Sequence, residues 1–354
     1  MSSNLTRRHF IVAAGIGAGS LLAGCRNAEQ GSGVVADTRE DGNVTTTGEL
    51  PAAATEAALE HQTQDSTAPA VYITREISSD GLLAAYAALG RELPGKVGVK
   101  LHTGEGANSN YLRPNLVAAL VDEVGGTIVE TMTAYPGSRS TAAGSLRTAQ
   151  EHGFTEIADV DIMDSEGTMS IPVAGGAHLT EDMVGSHFAD YNSYLVLSHF
   201  KGHGMAGFGG ALKNISIGFA AARGKSLIHS GGAETTGFGW GVPVSIFLES
   251  LAEAAKAVSN HMGDNILYVN VMNRLSIACD CEADPDEPDM ADIGILASTD
   301  PVALDQACVD LVYAATDGAS LVHRIEERQG VIQLEHAAEI GVGSRAYRLV
   351  PIDA

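Results

Sequence analysis

The sequence predicts an α/β domain: a mainly parallel β-sheet with helices on both faces, in one body or in two intimate lobes. Three observations carry this reading. From Ala70 onward, short β-branched runs alternate with helical patterns, the βαβ rhythm of sheets whose crossovers are helices. The run Tyr194-Leu195-Val196-Leu197 is apolar at every position, as a strand buried on both faces must be. Helix starts carry their own chemistry: Arg113-Pro114 puts proline in a first turn, and Asp300-Pro301 sets a capping carboxylate ahead of one.

Taken in order, Val71–Thr74 reads as a strand, Ser79–Leu93 as a helix and Val97–Leu101 as a strand. Arg113 to Val124 is the proline-started helix, and Thr127–Thr131 the next strand. Ala142–His152 has helical periodicity, and Asp161–Val173 reads as short strands with turns. After Tyr194–Leu197 come a long amphipathic helix at Val242–Asn260 and strands at Ile266–Met272 and Asp292–Ala297. The Asp300-capped helix runs to Ala315; two short helices, 319–328 and 330–340, precede a last strand at Tyr347–Val350.

Chemistry concentrates behind Leu197. The segment from Ser198 to Asn214, continued through Lys225 and His229, holds three histidines, three lysines and five closely spaced glycines. Glycines let a backbone approach a ligand, and ligands gather at strand ends in α/β sheets. His203 is an acid/base candidate, and His102 at an earlier strand end is its partner, since imidazole exchanges protons near neutrality. Lys201, Lys213, Lys225 and Arg113 suit a carboxylate or phosphate, with Asn214 and the amides of Gly209 and Gly210 as further donors. His199 and His229 are candidate metal ligands. Glu105 either ligates a metal, orients a histidine or is a solvated carboxylate at a helix entry. Cys279-Asp280-Cys281 offers two soft thiolates, with Asp284, Asp286 and Asp289 nearby, while Cys308 lies on an apolar helix face. Tyr135, Ser138 and Arg139 follow a strand end and help shape the same pocket. No phosphate-loop, dinucleotide or hydrolase-elbow pattern is present.

The N-terminus sets a compartment. Thr6-Arg7-Arg8-His9-Phe10 is a twin-arginine export motif, followed by an apolar run too short to span a bilayer comfortably. Leu22-Ala23-Gly24-Cys25 has the form of a lipobox, so residues 1–24 read as a signal and Cys25 as the acylated first residue. Residues 25–69, polar and without apolar periodicity, read as a flexible acidic tether to a single domain at 70–354. The expected partners are therefore the twin-arginine export machinery, the membrane through the lipid, and a small anionic ligand. With 21 Lys+Arg against 44 Asp+Glu and a formal charge of −23, the surface excludes nucleic-acid binding through a basic face. Setting Cys25 aside leaves Cys279, Cys281 and Cys308, too few for a disulfide framework.

Val99-Lys100-Leu101-His102-Thr103-Gly104-Glu105-Gly106, Tyr111-Leu112-Arg113-Pro114, the His199-to-Asn214 loop, Cys279-Asp280-Cys281 and Asp292–Ser298 with Asp300-Pro301-Val302-Ala303 together resemble the domain of unknown function 362 family. The resemblance covers residues 70–315. Many members of that family carry a ferredoxin-like cysteine segment after the glycine loop, which would imply iron-sulfur chemistry. Here residues 231–242 contain no cysteine, so a 4Fe-4S cluster is not expected. The spacing of His203, Lys213 and His229 also resembles the active-site loop of the nickel-pincer lactate racemases. That resemblance implies that Lys213 anchors an organometallic cofactor, His229 helps hold nickel and His203 moves protons.

The leading expectation is an exported, lipid-anchored enzyme acting on a small organic anion by acid/base or redox chemistry, racemase-like or oxidoreductase-like, with a divalent transition metal or organometallic cofactor. A non-catalytic metal- or ligand-binding protein, or a redox partner that has lost its cluster, would share these features. Replacing Arg7 and Arg8 by lysine should retain the precursor in the cytoplasm, and Cys25→Ala should free the mature protein from the membrane. Fractionation reads both, and a Cys25→Ala protein that stays with the membrane would remove the lipid anchor.

Overall fold

A computed structural model describes residues 59–105, 110–237, 241–282 and 284–353. The twin-arginine motif, Cys25 and most of the expected tether lie outside the described residues. Eight strands make one sheet: β1 (Ala70–Thr74), β2 (Val97–Lys100), β3 (Thr127–Glu130), β4 (Val160–Ile162), β7 (Ser193–His199), β10 (Ile266–Met272), β11 (Gly294–Ser298) and β12 (Arg348–Pro351). Their order is β12-β1-β11-β10-β7-β2-β3-β4, and β11 alone among them runs against its neighbours. The fold is α/β, built on this one large sheet.

Period-two alternation decides which face each side chain serves. In β7, Leu195 and Leu197 join one apolar cluster while Tyr194 and Val196 join another. The first cluster is covered by α1 (Ser79–Ala88), α2 (Pro114–Glu123) and α3 (Ala142–Glu151), which bury Leu82, Val117, Leu120 and Ala149. The second is covered by α4 (Ala211–Ser216), α6 (Val244–Met262) and α7 (Pro301–Ala314), which bury Leu212, Leu251 and Leu304. Between α4 and α6 runs α5 (Ala222–His229); α8 (Ala319–Glu327) and α9 (Ile332–Glu339) follow α7. Asp300 caps α7 through bonds of 2.9 Å to the Val302 and Ala303 amides. Among the described residues no helix is long and apolar enough to cross a membrane.

Chain order places the site. From β2 the sheet grows through β3 to β4 on one side, then returns to set β7 on the other side of β2. That reversal opens a crevice at the carboxyl ends of β2, β3 and β7, the place where ligands bind in such sheets.

Two expectations are corrected. Residues 59–69 are not tether: Leu59 is buried, Gln62 bridges Tyr347, and the Asp310 carboxylate accepts from the His61 amide at 3.1 Å. An average over a polar stretch conceals these few specific contacts. The glycine-rich segment is not a loop but a hairpin, β8 (Lys201–His203) with β9 (Gly207–Gly209), leading into α4 and α5. Its glycines serve close packing as well as turning. A Cβ on Gly202 would lie 2.4 Å from the Ile277 oxygen, so the hairpin can press against the chain that leads to Cys279. The strands β5 (Thr168–Pro172) and β6 (Glu181–Gly185) form a second small hairpin, of which β6 has no clear apolar alternation.

A carboxylate on α7 fixes the start of α4. Asp305, fully buried, accepts from the Ala211 and Leu212 amides at 2.7 and 2.9 Å and from Asn270 Nδ2 at 2.7 Å. Truncation would leave three buried donors without a partner, each worth about 1–3 kcal/mol. Asp305→Ala should therefore lose at least about 3 kcal/mol in chemical denaturation, whereas the exposed Asp264→Ala should stay within about 0.5 kcal/mol.

Candidate functional site

A cavity of about 610 Å³ occupies the crevice. Its lining includes His102 beyond β2, Thr131 beyond β3, His203 at the end of β8, Lys213 on α4, Lys225 and His229 on α5, and Cys281. His102, His203, Lys213 and His229 are thus brought to one wall system. α4 is held against the strand ends by Asn214, whose Nδ2 donates to Ser198 Oγ at 3.0 Å and to the Lys100 and Leu197 carbonyls at 3.3 Å.

Buried charges build the floor. Lys100, Glu130 and Arg139 are each less than 5% exposed. Arg139 donates from Nε to Glu105 at 3.2 Å and from Nη1 to Glu130 at 3.4 Å, and its Nη2 lies 3.0 Å from His102 Nε2. Lys100 lies 3.6 Å from Glu130 and donates to the Leu101 carbonyl at 2.9 Å. Burial drags Lys100 down to about 8 although Glu130 opposes it. Burial alone would push the Glu130 carboxyl up, but Lys100 and Arg139 together hold it below its ordinary value. Lys225 donates to Thr131 Oγ1 and the Ala220 carbonyl at 2.5 Å, and burial lowers it to about 8 against the pull of Asp164. Both lysines are mainly protonated at neutral pH and short of compensating charge, which suits an anion in the cavity.

The three histidines are held in different states by their hydrogen bonds. His229 Nδ1 donates to the Lys225 carbonyl at 2.7 Å, one helical turn back, which leaves the lone pair on Nε2. Its ring stacks on Phe247 at 4.7 Å, and burial lowers its pKa to about 4, so it is neutral at physiological pH. His203 Nδ1 accepts from the Met205 and Ala206 amides at 3.2 and 2.9 Å, which puts the proton of the neutral ring on Nε2. Burial first, then Lys213, lowers its pKa, while a hydrogen bond to Cys279 opposes them. His102 Nδ1 accepts from the Gly104 amide at 3.0 Å, and its Nε2 faces Arg139. Burial and Arg139 hold it well below the ordinary imidazole range. A neutral ring has a single lone pair, so the Gly104 amide and the Arg139 guanidinium compete for it, and the same guanidinium disfavours the imidazolium that the expected acid/base role of His102 would form.

His203, Cys279 and Cys281 form a group whose ligating atoms lie within 4.8 Å of one another. Cys279 is driven well below the usual thiol range by the hydrogen bond from Cys281, with His203 and Lys213 adding to it against burial. Cys281 is correspondingly raised, because it keeps the shared proton. A soft metal ion held there would need both thiols deprotonated and the His203 ring neutral, and binding would release the proton between the sulfurs. The donor set therefore fits a thiophilic transition metal and not magnesium or calcium.

Other expected site residues lie elsewhere or serve the frame. His199 spends both nitrogens, Nδ1 on Asp280 at 2.9 Å and Nε2 on the Asn273 carbonyl at 2.7 Å, so neither is left for a metal. Lys201 pairs with Asp280 at 2.8 Å. Glu105 is bound by Arg139, Tyr135 and Ser138, and orients the guanidinium instead of a metal. Arg113 packs over the Tyr111 ring at 4.5 Å and does not line the cavity. Gly210 makes room for the Asp305 carboxylate, and Gly209 for the Lys213 stem. Asn214 holds α4 in place. Lys100, Glu130 and Asp280 were not singled out by sequence patterns, although a single charge inside each apolar strand run was a usable signal for the first two.

The neutral histidines set a sign for acid stability. His229 has a folded pKa near 4 against an ordinary 6.5, so the unfolded chain binds its proton first. Stability from this group is full above 6.5 and is lost as pH falls from 6.5 toward 4, by up to about 3 kcal/mol. His229→Gln should flatten that limb in denaturant titrations of the metal-free protein, and an unchanged acid limb would contradict the burial of a neutral ring.

Among curated proteins none matches the chain. Among the solved structures similar at low level are the following two. The lactate racemase apoprotein from Thermoanaerobacterium thermosaccharolyticum is 14% identical at a TM-score of 0.39, over 67% of this chain and 55% of that one. A Thermotoga maritima protein is 11% identical at a TM-score of 0.33, over 74% and 58%. The chain thus spans less than two thirds of either. The family described as a domain of unknown function (DUF362) matches residues 97–310. With more than half of its length matched, from β2 to the middle of α7, this chain belongs to the DUF362 family.

Proposed function

We propose that this protein is a metal-dependent enzyme acting on a small organic anion, exported by the twin-arginine route and lipid-anchored outside the cytoplasm. The observation that carries the chemistry is the His203–Cys279–Cys281 group, which sits beside a cavity also lined by three lysines and a neutral histidine. Cys279, Cys281 and His203 would hold the ion, which would supply Lewis-acid polarisation of a substrate oxygen.

The chain's own residues divide the remaining work. Lys100 and Lys225 present buried ammonium groups to an anionic end, with the Thr131 hydroxyl beside Lys225. His229 offers Nε2 as proton acceptor, its tautomer fixed by the Lys225 carbonyl. Lys213 adds a cation near His203 and Cys279. Arg139 holds His102 and Glu130 in place and excludes water from the floor.

A second reading gives the ion to His229, with an organic cofactor anchored on Lys213, as in the resemblance to the nickel-pincer lactate racemases. The tautomer of His229 favours it, since ligating histidines donate their other N–H to a carbonyl or carboxylate. Elemental analysis and intact-mass spectrometry of protein made in its own host separate the two. Under the first reading Cys279→Ser with Cys281→Ser lowers metal affinity more than about a hundredfold at unchanged unfolding temperature, and Lys213 carries no added mass. A covalent increment on Lys213, with metal lost in His229→Ala, selects the second. Metal-free protein in both respects overturns the metal reading.

A further inference from the structure

The Cys279-Asp280-Cys281 turn is built more rigidly than ligation of one ion by two thiols requires. Its backbone closes through the Glu282 amide on the Cys279 carbonyl at 2.9 Å, and the Glu282 carboxylate takes the Cys279 amide at 3.1 Å. Asp280 is fully buried and fixed by His199 Nδ1 at 2.9 Å and Lys201 Nζ at 2.8 Å. With the central side chain pinned on one side, the flanking sulfurs converge within 4.8 Å and interact directly. A closed turn also keeps the two Cα atoms within the range that a disulfide spans. Cys281 lines the cavity and is partly exposed, whereas Cys279 is 1% exposed behind it. Cys308, buried on α7 against Asn270, belongs to the core and not to this pair.

We propose that Cys279 and Cys281 are a reversible thiol–disulfide modification site for a low-molecular-weight disulfide entering the cavity, and that closing the pair abolishes metal binding by the same group. The second half rests on the metal reading above; the first does not. In the forward step the Cys281 sulfur attacks one sulfur of the incoming disulfide while its proton passes to Cys279, giving a mixed disulfide on Cys281 and one small thiolate. That thiolate removes the proton from Cys279, whose sulfur then attacks the Cys281 sulfur and expels the second small thiolate. The protein pair loses two electrons and its one shared proton, and the small disulfide is reduced to one thiol and one thiolate. Direct access is needed at Cys281 alone, because Cys279 attacks a sulfur already within its reach. With the S–S bond formed, neither sulfur is a thiolate ligand.

The full chain, reduced and metal-free, is treated with glutathione disulfide, quenched with a maleimide, and mapped by peptide mass spectrometry. The expected result is loss of both cavity thiols together as an intramolecular Cys279–Cys281 link, with Cys308 alkylated only after unfolding. Cys279→Ser should trap the glutathionyl adduct on Cys281, and Cys281→Ser should leave Cys279 unmodified in the folded protein. Adducts confined to Cys281 in the parent, or a link to Cys308, overturn the proposal. Cobalt(II) serves as the metal probe: its thiolate absorption should appear in reduced protein, vanish after linkage and return on reduction. A link without cobalt binding in the reduced state sinks the metal reading and the switching half, and leaves the modification site standing. Cobalt binding to the linked form overturns the switch.

Discussion

Arg139 is the interaction on which the rest of the site depends. Its guanidinium ties two segments together: Nε meets Glu105 and Nη2 faces His102, both directly after β2, while Nη1 donates to Glu130 at the end of β3. All of this lies out of water, where an unpaired carboxylate costs several kcal/mol and the removal of one partner from a buried pair costs about 3–5 kcal/mol. A domain stable by about 5–15 kcal/mol has room for few such losses. The strand ends that frame the cavity are therefore fixed by charge and not by packing alone. Lys100 shares Glu130 with Arg139, and Lys225 draws mainly on Asp164, so the cluster carries positive charge toward the cavity.

The scaffold divides labour along α5. Lys225 and His229 lie four residues apart on one face, so a single helical turn carries an ammonium group and a proton acceptor into one cavity. The carbonyl that receives the His229 proton belongs to Lys225 itself, which couples the orientation of the ring to the backbone of the turn that presents the lysine. Across the cavity, Asp280 does the converse. Its side chain points away from the site, into His199 and Lys201, and by doing so turns its neighbours toward it.

Much of the fold was legible because it obeys local rules. Proline at a first turn, the Asp300 cap and uninterrupted apolar runs located α2, α7, β7 and β10 within a few residues. The glycine-rich segment defeated the same rules, since glycine reads as a breaker whether it turns a chain or admits a neighbour. Gly202 and Gly210 do the second, against Ile277 and Asp305 that lie 75 and 95 positions further on. For the site, residue type pointed to the right region, and His203, Lys213 and His229 do line the cavity. Their states were beyond sequence: His102 and His203 are distinguished by which amides and guanidinium meet their nitrogens, and His199 by two acceptors from the 273–280 segment. That residues from Leu59 onward pack with the folded body rests on His61 meeting Asp310, 249 positions away.

That clasp at the start of the domain has a mechanical meaning. Leu59, His61 and Gln62 are fastened to α7 through Asp310 and to the edge of the sheet beside β12 through Tyr347. Between β12 and β7 stand β1, β11 and β10, so the point of attachment is about 19 Å across the sheet from the crevice. A pull on the chain ahead of Leu59 is borne by an edge strand and the helix core beneath it, and the strand ends that hold the lysines and thiols stay out of the line of force.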